Sequence, residues 1–164
     1  MQLPYRKPGK YTHQSLDPHI TQSKFTELEK KLGQLKKRKP FLASEVSRLA
    51  ENGDFSENAS YQAAKRKLRG NLSAITKLEY QLRHATIISA PNSNIVHIGS
   101  TGTVASEKIE TQFTILGSTE SKPEKGIISH TSPIGAALLG KKIGDLITIK
   151  LPTNTITYRI KSIK

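Results

Sequence analysis

"LEKKLGQLKKRKPFLASEVSRLAENGDFSENASYQAAKRKLRGNLSAITKLEYQL", residues 28–82, holds two apolar series that read the same in both directions. Leu28, Leu32, Leu35, Leu42, Val46 and Leu49 fall on alternating four- and three-residue steps, with Lys39 at one seam position. Tyr61, Ala64, Leu68, Ile75, Leu78 and Leu82 form the second series, with Asn71 as its polar member. Steps of three and four keep side chains on one helix face. Reflection about Phe55 places Leu49 on Tyr61, Val46 on Ala64, Leu42 on Leu68, Leu35 on Ile75, Leu32 on Leu78 and Leu28 on Leu82. The two polar interruptions, Lys39 and Asn71, fall opposite each other. The pattern predicts an antiparallel helical hairpin over residues 20–88, with arms of about 28 residues and roughly 40 Å and a turn near Phe55. Pro40 removes a backbone donor inside the first arm, and because the heptad phase continues past it a kink is expected rather than a helix end.

The turn itself is chemically odd. The chain has 26 Lys and Arg against 13 Asp and Glu, yet "ENGDFSENASY" (51–61) gathers Glu51, Asp54 and Glu57 with no cation. Asn52-Gly53 alone would make a turn, so the acids need another reason. One is local: Asp54 and Glu57 have capping-box spacing, with Asp54 in place of Ser or Thr. Another is metal ligation, and a cap leaves lone pairs free for it. Just beyond lies "KRKLR". Lys65, Arg66, Lys67 and Arg69 cannot all share one helix face, so a subset is read as contacting RNA phosphates, which needs charge but no base sequence. Tyr61 lies on the seam and is read as packing near the tip.

A net charge of +13 favours a polyanion, or a partner already holding one. The absence of Cys excludes disulfides and thiolate chemistry and fits a cytoplasmic location. No apolar run approaches a membrane span, and "MQLPYRKPGKYTHQ" lacks the apolar stretch of a signal peptide. Residues 1–19 read as a flexible basic extension. His13, His19, His84, His97 and His130 show no metal-ligand spacing.

After Arg83 charges thin and β-branched residues alternate. Strands are expected at Gly102–Ala105, Gln112–Gly117, Gly126–Ser129, Leu146–Leu151 and Thr155–Ile163, with Pro152–Asn154 as a turn. Ser132, Pro133 and Gly140 are the cap, first residue and terminator of a short helix. The fold class is therefore α+β: a hairpin, a linker near 89–94, and a small domain over 95–164 with a mostly antiparallel sheet.

The two halves together resemble the bacterial transcript-cleavage factors of the Gre family. "NGDFSENASYQAAK" is similar to the family's tip, which typically reads Gly-Asp-x-x-Glu-Asn-Ala-x-Tyr, although Phe55-Ser56 stands where the family often has Leu-Lys. "GSTGTV" and "KGIISHTSPIGAALLGKKIGD" resemble signatures of its C-terminal domain. The resemblance spans about residues 20–164. It implies an FKBP-like C-terminal domain that docks bacterial RNA polymerase, and a coiled coil that passes down the secondary channel to the polymerase active site. There the factor stimulates the polymerase's own cleavage of backtracked RNA at its extruded 3′ end. Asp54 and Glu57 match the family's functional acids. Asp54 is expected to help hold a second Mg²⁺, shared only within the polymerase complex, and Glu57 to orient or activate the attacking water. The isolated chain is expected to be a monomer, to bind no Mg²⁺ tightly, and to be no enzyme by itself. The Lys65–Arg69 run resembles the strongly basic branch of the family, associated with longer cleaved fragments, while the C-terminal signature resembles the other branch. Rival readings are a same-fold channel inhibitor without cleavage activity and a free RNA-binding coiled coil. A prolyl isomerase is disfavoured because residues 90–164 offer only Phe113 and Tyr158 as aromatics.

Overall fold

A computed structural model describes residues 17–51, 59–89, 93–106, 110–150 and 155–164. Helix α1 spans Gln22–Ala50 and helix α2 spans Ala59–Arg83, and the two pack against each other as the arms of a hairpin. Every one of the twelve apolar seam positions named from the sequence is buried or half-buried. Leu28, Leu42, Ala64 and Ile75 are the most enclosed. The polar interruptions behave differently: Lys39 is exposed, whereas Asn71 is buried. α1 runs through Pro40 without ending there. The turn near Phe55 lies outside the described residues.

Thr21 starts α1. Its backbone is extended, and its hydroxyl accepts the Lys24 N–H at 3.1 Å, which satisfies one orphan donor of the first turn. The same hydroxyl donates to Glu120 Oε1, and the Thr21 N–H donates to Glu120 Oε2, both at 2.7 Å. A residue of the second domain therefore completes the cap of the first.

Strands β1 (His19–Ile20) and β2 (Thr86–Ile87) pair in parallel at the base of the hairpin. Ile20 is fully buried there. This differs from the sequence expectation, in which residues up to 19 belong to a flexible extension: Asp17–His19 are built into the joint. Two-residue strands carry no period to read, so β1 and β2 leave no trace in the hydrophobic pattern.

The second domain has strands β3 (Thr101–Ala105), β4 (Glu110–Leu116), β5 (Ile127–Ser129), β6 (Leu146–Lys150) and β7 (Thr155–Ile163). Their order is β5-β4-β3-β7-β6, antiparallel throughout except for the β4–β5 pair. The sheet is thus mostly antiparallel, as expected from the alternation, and each strand lies within two residues of its expected start. Helix α3 (Pro133–Leu138) covers one face, capped by the Ser132 hydroxyl, which accepts the Gly135 N–H. Val96, Val104, Ile115, Ile128, Leu138, Ile147, Ile149 and Ile160 close the core between helix and sheet. Gly126, at φ +70°, makes the tight turn into β5, and a Cβ there would collide with the Gln112 carbonyl.

Candidate functional site

The hairpin has one end at the joint and the other at the segment carrying the acids. α1 leaves the joint at Gln22 and ends at Ala50; α2 starts at Ala59 and returns at Arg83. With 29 residues, α1 is about 43 Å long. Asp54 and Glu57 belong to the segment 52–58 that connects these far ends, and both lie outside the described residues. Glu51, the last described residue before them, is exposed.

The basic run sits on the first turns of α2 after that segment. Lys65, Arg66, Lys67 and Arg69 are all exposed. At about 100° per residue, Lys65 and Arg69 share one flank of the seam formed by Tyr61, Ala64 and Leu68. Lys67 takes the opposite flank, and Arg66 points away from the partner helix. The four therefore do not share one face of α2. Lys65 Nζ stands over the ring of half-buried Tyr61, 5.6 Å from its centroid, within reach of a cation–π contact. Arg66 Nε donates to the Gln62 carbonyl at 3.4 Å. Residues 20–88 outside the tip hold 14 Lys and Arg against four Glu, so the rod is positive along its length. Two of those four are taken up locally. Glu79 meets Lys36 across the helices at 2.7 Å, and Glu27 meets Lys24 at 2.8 Å. In each case the lysine's hydrogen bond and charge hold the carboxyl below its ordinary range.

A second polar cluster occupies the joint. Asp17 Oδ1 accepts the His19 N–H at 3.0 Å and lies 3.1 Å from His19 Nδ1. Asp17 Oδ2 accepts the Ser118 N–H at 2.6 Å and the Ser118 hydroxyl at 2.9 Å, and lies 3.3 Å from His130 Nδ1. Burial alone would raise the Asp17 carboxyl, but these hydrogen bonds from Ser118 and His19 outweigh it and lower it overall. The chain approaches closely here: a Cβ on Gly117 would collide with the His19 carbonyl. Sequence reasoning missed the cluster because Asp17 and His19 lie more than 100 residues from His130, and contacts at the joint, Asp17 with Ser118 among them, bring the three together. Thr21 and Glu120 were missed for the same reason.

No helix among the described residues is long and apolar enough to cross a membrane. Residues 19–87 match the family described as "Transcription elongation factor, N-terminal", and residues 90–164 match "Transcription elongation factor, GreA/GreB, C-term". The chain is 41% identical over 149 residues to transcription elongation factor GreA of Macrococcus caseolyticus, covering 88% of this chain and 94% of that one. It is 37% identical over 145 residues to the GreA of a Nitratiruptor species, covering 86% and 89%. Among solved structures it aligns with GreA factor homolog 1 of Thermus thermophilus at 22% identity and a TM-score of 0.40, over 88% of this chain and 97% of that one. With both halves matched in order and relatives above one-third identity along most of their length, the chain belongs to the GreA/GreB family of transcription elongation factors.

Proposed function

We propose that this elongation factor binds bacterial RNA polymerase, passes its hairpin down the secondary channel and stimulates the polymerase's own cleavage of backtracked RNA. The observation that carries the reading is the hairpin: two long helices whose far ends, Ala50 and Ala59, flank the only acidic stretch of a basic rod. A probe of this kind delivers carboxylates to a centre that another molecule owns.

Asp54 and Glu57 offer hard oxygen donors, the type that suits Mg²⁺, and an ion that keeps most of its waters needs only one or two added carboxylates. Mg²⁺ shared with the polymerase supplies charge stabilisation and a more acidic bound water. Asp54 would help hold the shared ion, and Glu57 would orient or activate the attacking water. Most of the ion's ligands belong to the polymerase, so the isolated chain binds Mg²⁺ weakly and cleaves nothing. Lys65 and Arg69, on one flank of α2, meet phosphates of the extruded RNA 3′ end. The factor acts as a monomer in the cytoplasm.

Asp54→Asn tests the assignment. Asn caps a helix about as well as Asp, so fold and polymerase binding survive. Release of 3′ fragments from stalled complexes is expected to fall by roughly 10²-fold or more, the scale of a lost catalytic group. Cleavage at the unsubstituted rate would leave Asp54 as a cap only, and blocked synthesis without cleavage would favour a channel inhibitor.

A further inference from the structure

We infer that Asp17, His19 and His130 form a binding site for a divalent transition metal at the joint between hairpin and sheet domain, with Zn²⁺ as the probe ion. The inference is independent of the tip chemistry. One ligand atom from each residue lies within 4.8 Å of the other two. A tetrahedral Zn²⁺ site with bonds of about 2.0–2.1 Å has donor atoms about 3.4 Å apart. Asp17 Oδ1 lies 3.1 Å from His19 Nδ1, and Asp17 Oδ2 lies 3.3 Å from His130 Nδ1, so each carboxylate oxygen already stands near that length from one imidazole nitrogen.

The second observation is His130 Nδ1. It is buried and has no hydrogen-bond partner, although it faces the Asp17 carboxylate. A buried ring nitrogen 3.3 Å from a carboxylate oxygen but without a hydrogen bond is costly as a purely structural arrangement, and ligation would satisfy it. The His19 ring sits edge-on to His130 with centroids 5.2 Å apart. His19 is the most exposed of the three at 35%, so its side chain has room to turn toward an ion held between Asp17 and His130. That open side leaves the fourth position to water. The Asp17 carboxylate is fixed from behind by the Ser118 N–H and hydroxyl, the kind of outer support that orients a metal ligand.

Two imidazoles and a carboxylate select Zn²⁺ and its first-row neighbours over Mg²⁺, which prefers oxygen donors alone. The donors come from the segment before α1 and the segment after β5. A bound ion therefore staples the base of the rod to the domain that carries it.

The test is titration of the full-length protein with Zn²⁺ by calorimetry, in millimolar Mg²⁺, alongside thermal unfolding. One equivalent is expected to bind and to raise the unfolding temperature. His19→Gln and His130→Gln are each expected to weaken binding at least tenfold, while His84→Gln, exposed just past the end of α2, leaves it unchanged. Co²⁺ gives a readout that does not depend on the variants folding: the unsubstituted protein should show the strong visible bands of a four-coordinate ion. Zn²⁺ affinity indifferent to both His19→Gln and His130→Gln, or only the weak bands of six-coordinate Co²⁺, would overturn the assignment.

Discussion

Asn71 puts an amide among apolar seam residues, and its Oδ1 is buried with no hydrogen-bond partner. Lys39, its mirror position in the sequence, is exposed, as a four-carbon stem that can reach water allows. Asn is too short to do so. The heptad reading located both interruptions but could not distinguish these outcomes, since the difference lies in side-chain reach and not in spacing. A buried, unsatisfied amide oxygen costs roughly 1–3 kcal/mol. Asn71→Leu is therefore expected to stabilise the hairpin by about that amount, measured as a higher urea midpoint. A single polar seam residue is also a known device for fixing register. Destabilisation by Asn71→Leu would show that the amide holds a partner worth more than the burial it prevents.

At the scale of the element, legibility followed length. α1 and α2 repeat their pattern over several heptads, and Ile147 with Ile149, both buried, repeats the two-residue alternation of a strand. β1 and β2 have two residues each, and nothing in His-Ile or Thr-Ile marks a parallel pair. The candidate site divides in the same way. The tip acids and the basic run stand out in the sequence as local runs of charge, whereas the joint cluster depends on contacts between distant segments. Charge between the arms gives a further expectation. Lys36 holds the Glu79 carboxyl below its ordinary value, so folding keeps this contribution above the unfolded pKa and loses it as pH falls through the folded one. The difference in unfolding temperature between the unsubstituted protein and Lys36→Gln should be small, constant above about pH 6, and should vanish in acid. Because Glu79 and Lys36 are both solvent-exposed to a large degree, the difference should also shrink in molar salt. A gap that widens in acid would contradict the pairing.

At the scale of the whole molecule the question is how a long rod is held at one end. Ile20 is buried within the β1–β2 pair, Asp17 is tied to Ser118, and Glu120 caps α1 from the other domain. Glu120→Ala leaves the Thr21 N–H without that acceptor and should cost roughly 1 kcal/mol, given a half-buried charged hydrogen bond. Hydrogen exchange should quicken at the first turn of α1 and remain slow in the sheet core around Val104 and Ile115. Equal quickening in both regions would mean that the two halves unfold as one unit.

Delivery by a stiff rod is the central claim, and rod length is its most direct variable. Removing residues 29–35 together with 75–81 takes one heptad from each arm, keeps both seams in phase, and spares Lys65, Arg66, Lys67, Arg69 and both tip acids. At about 1.5 Å per residue the tip retreats by about 10 Å. Cleavage of RNA in backtracked complexes should be lost while binding to polymerase persists. Cleavage at the full-length rate by the shortened protein would contradict the account.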